Sequence, residues 1–375
     1  KDHGENYIEH AINNKAKFVI SEKIVPRFKD RIILVNNCFS ALKLIAGYKR
    51  SNYNGKIIGI TGSVGKTSVK EQLNYFLNFI FKTYSSIKSY NNNLGVNLSL
   101  ANLDFDSPIS ILEMGTNEVG EIAQLTKLVK PHIAIITNIG PAHLKNFKNV
   151  KNVAKEKSNI FNQKINPKIE TIIVPLNNSE KNYVYNNAIK NKNCKILTFG
   201  RNNKADAFIK KTTRLDNNKF LVDVKILKNK LKYKLSASGE HQVLNSLISL
   251  LIFYVFNIKY DKFKKNALSL PKLSGRGKLY FLLLNKKKVT LIDESYNASP
   301  LSMKETIEYF NNYSTDKGRK KYLILGDMLE LGKKENYFHS QLKEYLNSNS
   351  FYKIFTCGKL IKNLYKSYQG SNIFH

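Results

Sequence analysis

Gly62-Ser-Val-Gly-Lys-Thr67 is the segment of this chain best equipped for chemistry. A phosphate presents several charged oxygens, and a protein can surround them only where backbone N–H groups approach closely, which glycines at a turn allow. A lysine then supplies positive charge, and a threonine hydroxyl can hold a metal ion that bridges phosphates. Gly62, Ser63, Gly65, Lys66, Thr67 and Ser68 are therefore the expected cradle for a nucleoside triphosphate. One departure stands out: the general phosphate-loop pattern has a further glycine where this chain has Ile60.

The flanking residues supply what such a loop needs. Apolar residues over 57–60 read as a strand running into the turn. Behind it Val69, Leu73, Phe76, Leu77, Ile80 and Phe81 recur at three- and four-residue steps. That spacing predicts an amphipathic helix whose positive dipole end faces the phosphates. Two further candidates end later strands. Glu113 follows the strand over 109–112, where a carboxylate is placed to hold Mg²⁺ beside a phosphate loop; taken alone it reads as readily as a turn cap. His143 closes the loop after the strand over 133–136, and a lone histidine is usually structural. A threonine, a glutamate and a histidine converging on one sheet edge suggest a metal and phosphate site.

Composition bounds the rest. A chain of 375 residues is long enough for two or three domains, and 42% hydrophobic content supports real cores. The net charge of +33 would ordinarily point to nucleic acid, but the lysines are spread along the whole chain among asparagine and isoleucine, with no arginine-rich tract. The charge is read as compositional bias that attracts anionic substrates, and no nucleic-acid partner is expected. Cys38, Cys194 and Cys357 are too scattered for a disulfide framework or zinc cluster, which fits a reducing cytoplasm. The apolar run over 247–256 is too short to span a bilayer.

Along the chain, 1–53 reads as a small mixed segment with strands at 18–20 and 32–35 and a helix over 39–48. From 54 to 270, strands at 109–112, 133–136 and 171–174 alternate with helices over 118–129 and 150–161, which implies a parallel sheet with ligands at its carboxyl ends. Alternating runs over 220–227 and 230–235 read as a hairpin, followed by a helix over 241–256. After a glycine- and proline-bearing linker at 270–277, a second α/β unit over 271–375 is expected, with strands at 289–292 and 322–325 around a helix over 300–313. The fold class is α/β: a central phosphate-loop domain between partial flanking domains.

Several short segments occur in one order: Gly62-Ser-Val-Gly-Lys-Thr67, Asn91-Asn-Asn-Leu-Gly-Val96, Glu113-Met-Gly115, Thr137-Asn-Ile-Gly-Pro-Ala-His143, Lys157-Ser-Asn-Ile-Phe161, Gly239-Glu-His-Gln-Val-Leu-Asn245, Gly275-Arg276, Asp293-Glu-Ser-Tyr-Asn-Ala-Ser-Pro300 and Leu325-Gly-Asp-Met-Leu-Glu-Leu-Gly332. Each is weak alone, but together they closely resemble the Mur ligases of peptidoglycan synthesis over nearly the whole chain. The segments at 293–300 and 325–332 look like the branch that adds D-alanyl-D-alanine. The branches that add meso-diaminopimelate or lysine carry a histidine-containing sequence at 295–300.

The resemblance implies an ATP- and Mg²⁺-dependent amide ligase that joins UDP-N-acetylmuramoyl-tripeptide to D-alanyl-D-alanine through an acyl phosphate, acting as a cytoplasmic monomer. It implies that Lys66 and Thr67 hold the β- and γ-phosphates and one Mg²⁺. Glu113 and His143 would ligate magnesium, and Lys157 matches a lysine carbamylated by CO₂ into a further oxygen ligand. Lys66, His143 and Lys157 are thus the expected catalytic residues. Asn245 matches a contact near the adenine, and Arg276, Asp293, Tyr296 and Asn297 match residues by which the last domain, Rossmann-like in the family, closes over ATP. Asn91 and Asn92 match residues near the muramoyl peptide. Two positions depart from the family: Asn159 replaces its usual glutamate and Asn97 a common proline. Against the family, the first strands of the UDP-binding domain and the tail of the last domain are expected to be missing, since the chain opens at Lys1 and stops soon after a strand-like run at 352–356. The competing readings are another Mur-type or folylpolyglutamate-type ligase, a nucleic-acid-stimulated P-loop ATPase, and a non-catalytic nucleotide-binding scaffold.

Overall fold

A computed structural model describes residues 3–177, 179–316 and 318–375, with the backbone alone at 348. Its first segment holds two short parallel strands, β1 (Val19–Ser21) and β2 (Ile32–Leu34), and a helix at Cys38–Ser51. The helix starts where the side chain of Asn37 accepts the N–H of Ser40, which satisfies an otherwise unpaired helix-end donor. The buried Arg50 ties it to the centre by donating to the carbonyls of Val129 and Lys130 at 2.6 and 2.8 Å.

The centre is a nine-stranded sheet. In chain order its strands are β3 (Lys56–Thr61), β4 (Thr83–Ser85), β5 (Ile109–Glu113), β6 (Ile133–Ile136), β7 (Thr171–Pro175), β8 (Lys195–Gly200), β9 (Ala207–Asp216), β10 (Lys219–Ile226) and β11 (Asn229–Ser236). In space they run β11-β10-β9-β8-β7-β6-β3-β5-β4. The pairs from β4 to β9 are parallel, and β9, β10 and β11 close the far edge antiparallel. Because successive strand residues face opposite sides, β3 divides its isoleucines between two cores. Ile58 and Ile60 join Ile111, Ile133 and Ile135 under the helices Lys66–Asn78 and Glu240–Val255. Ile57 joins Leu112, Ala134 and Ile136 under Asn93–Ala101 and Glu121–Val129. The near-continuous apolar runs of the strands are the consequence of burial on both faces.

The helix behind the loop ends at Asn78, earlier than the apolar spacing suggests. Val69, Leu73, Phe76 and Leu77 are buried on it, while Ile80 and Phe81 lie past its end and pack on the same core from the side. Phe76 stands edge-on to Phe253, with ring centroids 6.2 Å apart, and so joins this helix to Glu240–Val255. The chain leaves β3 for the sheet edge, returns at β5 beside β3, and then crosses to β6 on the other side. That reversal opens a crevice at the carboxyl ends of β3, β5 and β6.

The last unit differs in detail from the expectation. The strand expected at 289–292 does not lie beside 322–325. It belongs to a separate antiparallel hairpin of β12 (Lys278–Leu284) and β13 (Lys287–Asp293). Asn285 and Lys286 turn at φ 47° and 63°, the handedness that suits a two-residue hairpin loop. A parallel sheet of β14 (Tyr322–Gly326), β15 (Lys353–Cys357) and β16 (Ile373–Phe374) forms the rest, with the helix Pro300–Asn311 packed in its core through Ile307. The turn after β9 reaches this helix. Tyr309 Oη donates to Asn217 O at 3.1 Å, and Arg214 Nη1 donates to Asn312 O at 2.7 Å.

Candidate active site

The phosphate loop leaves β3 where Thr61 gives way to Gly62. A side chain at Gly62 would place its Cβ 2.0 Å from Thr137 Oγ1, so only glycine lets the loop lie this close to the end of β6. Gly65, at φ 84°, makes the turn into the helix. The loop is braced from below: Thr137 Oγ1 donates to Val64 O at 2.6 Å, and Ser63 N donates to Asn138 O at 2.9 Å. Ile60, where the general pattern has glycine, is fully buried and still paired with β5 opposite Glu113. The strand simply runs one residue pair further, and the glycine turn is correspondingly short.

Thr67 Oγ1 donates to Glu113 Oε2 at 2.8 Å and lies 3.1 Å from Ser89 Oγ. Asn91 Nδ2 donates to Glu113 Oε1 at 2.7 Å. Thr67 and Glu113 are buried, so a hydroxyl from the first turn of the helix Lys66–Asn78 and a carboxylate from the end of β5 stand together as hard oxygen donors, a set suited to Mg²⁺ completed by phosphate and water. Lys66 Nζ donates to Gly62 O at 2.9 Å. Burial pulls its pKa down, Glu113 pushes it back up and Arg276 lowers it further.

His143 lines the same cavity, yet the structure gives it a different neighbour from the one expected. Its Nδ1 pairs with Glu330, a carboxylate from the last unit, and Lys145 N donates to Glu330 O at 3.0 Å. Among the described residues no three His, Cys, Asp or Glu side chains form a ready metal cage. The sequence expectation of a Glu113–His143 ligand set is thus met only as two groups on one cavity wall. Burial lowers the His143 pKa, Glu330 opposes this, and the charges of Lys157 and Lys66 add to the lowering.

Lys157 is 1% exposed at the end of the helix Val150–Lys157. Burial holds its pKa well below the ordinary lysine value, the nearby Lys66 adds to the effect and Glu156 opposes it. Glu156 itself accepts the N–H groups of Gly120 and Ile122, both at 2.8 Å, and so caps the helix Glu121–Val129.

One cavity of about 480 Å³ brings the phosphate loop, Glu113 and His143 together with residues of the last unit. Ser63, Gly65, Lys66, Thr67, Ser68, Asn91, Glu113 and His143 line it from the centre, joined by Asn245 beside Gly65; Arg276, Tyr296 and Asn297 line it from the other side. The Arg276 guanidinium lies over the Tyr296 ring, 4.2 Å from its centroid. Four expected residues do not line it. Lys157 is buried at the end of the helix Val150–Lys157. Asp293 braces its own turn, accepting Gly275 N at 2.9 Å and Ser295 Oγ at 2.6 Å. Asn92 caps the helix Asn93–Ala101 by accepting Gly95 N at 2.8 Å. Gly62 shapes the loop from beneath without lining the cavity.

Sequence reasoning assigned no role to Ser89, Glu294, His241, Glu305 or Glu330. Glu294, His241 and Glu330 lie inside the family-like segments at 293–300, 239–245 and 325–332, and that placement was the available signal. On the cavity wall His241 Nδ1 lies 3.7 Å from Glu305 Oε2. Burial pushes His241 down to about 4 and Glu305 up to about 7.

A glycine phosphate loop at the switch point of a parallel sheet, with a hydroxyl–carboxylate pair beside it, defines a P-loop nucleotide-binding protein. The pattern of the Mur ligase middle domain matches residues 60–253, and that of the Mur ligase glutamate ligase domain matches 281–372. The chain belongs to the Mur ligase family. It is 35% identical over 373 residues to the UDP-N-acetylmuramoyl-tripeptide–D-alanyl-D-alanine ligase of Rickettsia prowazekii, covering 96% of this chain and 79% of that protein. The MurF ligase of Thermotoga maritima, solved in complex with ADP, superposes with a TM-score of 0.80 at 26% identity, covering 99% of this chain and 82% of that one. MurF from Acinetobacter baumannii shares the fold, with a TM-score of 0.83 at 24% identity, 100% of this chain and 79% of that one being covered.

Proposed function

We propose that this protein uses ATP to join the terminal carboxylate of UDP-N-acetylmuramoyl-tripeptide to the amine of D-alanyl-D-alanine, the step that completes a peptidoglycan precursor. The observation that carries the reading is the single cavity in which Lys66, the Thr67–Glu113 pair and Arg276 face one another, in a chain of the Mur ligase family. A carboxylate is a poor electrophile, so it must first gain a leaving group. Its oxygen attacks the γ-phosphate of ATP, the bond to the β-phosphate oxygen breaks, and an acyl phosphate and ADP result. The dipeptide amine then attacks the acyl carbon, and phosphate leaves.

In this scheme Lys66 leaves the Gly62 carbonyl and turns to the β- and γ-phosphates, offsetting charge that would repel the incoming carboxylate. Thr67 and Glu113 would hold Mg²⁺, which supplies charge neutralisation between the phosphates. Arg276, Tyr296 and Asn297 cover the nucleotide from the last unit and exclude the water that would hydrolyse the acyl phosphate. Lys157 is read as the carbamylated lysine. Among the described residues no hydrogen-bond acceptor meets its Nζ, and burial favours the neutral amine, which is the form that reacts with CO₂. Asn91 would reach toward the muramoyl peptide, and Asn245 toward the base. Segments 1–53, 54–270 and 271–375 serve as substrate, ATP and closing domains. The family reading takes the protein to act as a monomer in the cytoplasm; no described helix is long and apolar enough to cross a membrane.

The test is an assay with ATP, Mg²⁺, D-alanyl-D-alanine and UDP-N-acetylmuramoyl-tripeptide, scored for ADP and the pentapeptide product by mass spectrometry. The reading requires both products in equal amounts and neither without Mg²⁺. ADP formed without amide, or stimulated by DNA or RNA instead of the peptide, would contradict it.

A further inference from the structure

Lys70 is a fully buried lysine, at 0% exposure, and it takes no part in the chemistry above. It sits one turn beyond Lys66 on the helix Lys66–Asn78 and is not among the residues that line the cavity. An ammonium has three N–H donors, and each finds an acceptor: Ser86 O at 2.6 Å, Lys88 O, and Glu71 Oε1 at 2.8 Å. Burying such a charge is costly, and an apolar side chain of similar volume would stabilise the core as well or better. Its presence needs a reason other than stability.

The reason lies in what the two carbonyls belong to. Ser86 and Lys88 begin an irregular loop after β4, in which Lys88 adopts φ 48°. Both carbonyls turn to the buried Lys70 Nζ and accept from it. The same loop delivers several groups to the phosphate-loop rim. Ser86 Oγ accepts Glu113 N at 3.3 Å, Ser89 Oγ meets Thr67 Oγ1 at 3.1 Å, and Asn91 Nδ2 donates to Glu113 Oε1 at 2.7 Å. Ser89 also accepts from Arg276 Nη2 of the last unit at 3.5 Å.

We propose that Lys70 is a positioning residue that pins the loop over 86–91, so that Ser89 and Asn91 orient the Thr67 hydroxyl and the Glu113 carboxylate for Mg²⁺. Through Ser89 the same strut gives Arg276 a fixed seat when the last unit closes. The inference deepens the ligase reading and rests on its assignment of Thr67 and Glu113 to the metal. Removing an outer partner of a metal ligand typically costs about 10- to 100-fold in metal affinity.

The experiment measures ADP binding by calorimetry, with and without Mg²⁺, on the full chain and on Lys70→Met, Lys70→Arg and Ser89→Ala. Lys70→Met should weaken Mg²⁺-dependent ADP binding by about tenfold while changing Mg²⁺-free binding less than about twofold. Lys70→Arg, which can still reach both carbonyls, should recover most of the loss. Ser89→Ala should lose about threefold alone and add almost nothing to Lys70→Met, because the loop is already released. Equal losses with and without Mg²⁺, full additivity, or no Mg²⁺-dependent tightening in the unaltered protein would overturn the inference. Should Lys70→Met not fold, an unchanged Mg²⁺ dependence in Ser89→Ala would overturn it by itself. Amide synthesis by the unaltered protein is assayed in parallel: its absence would remove the ligase reading while the Mg²⁺–ADP data still decide the role of Lys70.

Discussion

The two walls of the cavity are built differently. The wall from the centre is a preassembled rim: Thr67 and Glu113 are buried, hydrogen-bonded to each other, and held by a helix start and a strand end packed on the central cores. The wall from the last unit is carried on a turn and a hairpin. Tyr296 there is 54% exposed, and Phe281 on β12 is 81% exposed. Its hold on the centre comes from a few contacts, such as Glu330 with His143 and Tyr309 with Asn217. The difference teaches that the charge-handling machinery is fixed by folding, whereas the covering residues, on the proposed reading, would be brought into place by closure of the last unit. Mutations in the first wall should therefore cut turnover with little change in closure, and mutations in the second should act through nucleotide retention.

The largest expected effect is in the rim. Lys66→Ala should lower amide synthesis by at least about 10³-fold while the melting temperature stays nearly unchanged, because the ammonium acts on developing charge and contributes little to packing. Near-normal turnover by stopped assay would break the comparison. Glu113→Gln should follow at about 10²-fold, with a raised Mg²⁺ requirement as its signature, read from the Mg²⁺ dependence of kcat. In the opposite wall, Arg276→Ala should raise the KM for ATP by about tenfold, losing its place over Tyr296 and its contact to Ser89, with a smaller change in kcat.

The smallest effects separate the walls by pH. Beneath the rim, His132 Nδ1 accepts Ile57 N at 2.9 Å. Burial first, then Arg50, hold it down from 6.5 to about 4, against an opposing push from Glu170. A depressed pKa means its stabilisation is present above 6.5 and is lost as pH falls toward 4, a change on the order of 1–3 kcal/mol. Across the cavity Glu305 is raised from 4.5 to about 7, by burial first and then by Glu308 and Glu294, with Lys304 opposing. Its contribution is present below 4.5 and is lost as pH rises through about 7. Hydrogen exchange should thus show β3 and β6 loosening in acid, and the helix Pro300–Asn311 loosening toward neutral pH. Glu305→Gln should abolish the second trend and leave the first.

Much of the rim was legible in the sequence because its signals are local. Glycine turn, lysine, threonine and the apolar period behind them lie within one strand–loop–helix, and Glu113 closes an apolar run. Several strands were harder. β4, β8, β9, β12 and β16 were not anticipated: half of β9 is exposed, and Lys210 and Lys211 break its alternation. β13 was assigned to the wrong sheet because a period of two marks a strand without naming its neighbour. Ser89, Lys70 and Glu305 had no signal at all. A lysine in a chain this rich in lysine, or a serine in a loop, gains meaning only when folding brings distant segments into contact. Asp293 and Asn92 show the converse, since family segments placed them near the site while their side chains are engaged in bracing and capping the local chain.

The most direct measurement traps the activated carboxyl group. ATP, Mg²⁺ and UDP-N-acetylmuramoyl-tripeptide are incubated with the protein and hydroxylamine, without dipeptide, and the hydroxamate is quantified by mass spectrometry. The account predicts hydroxamate in step with ADP for the unaltered protein and none for Lys66→Ala. ADP release without hydroxamate, or equal hydroxamate from both proteins, would contradict the claim that this rim activates a carboxylate.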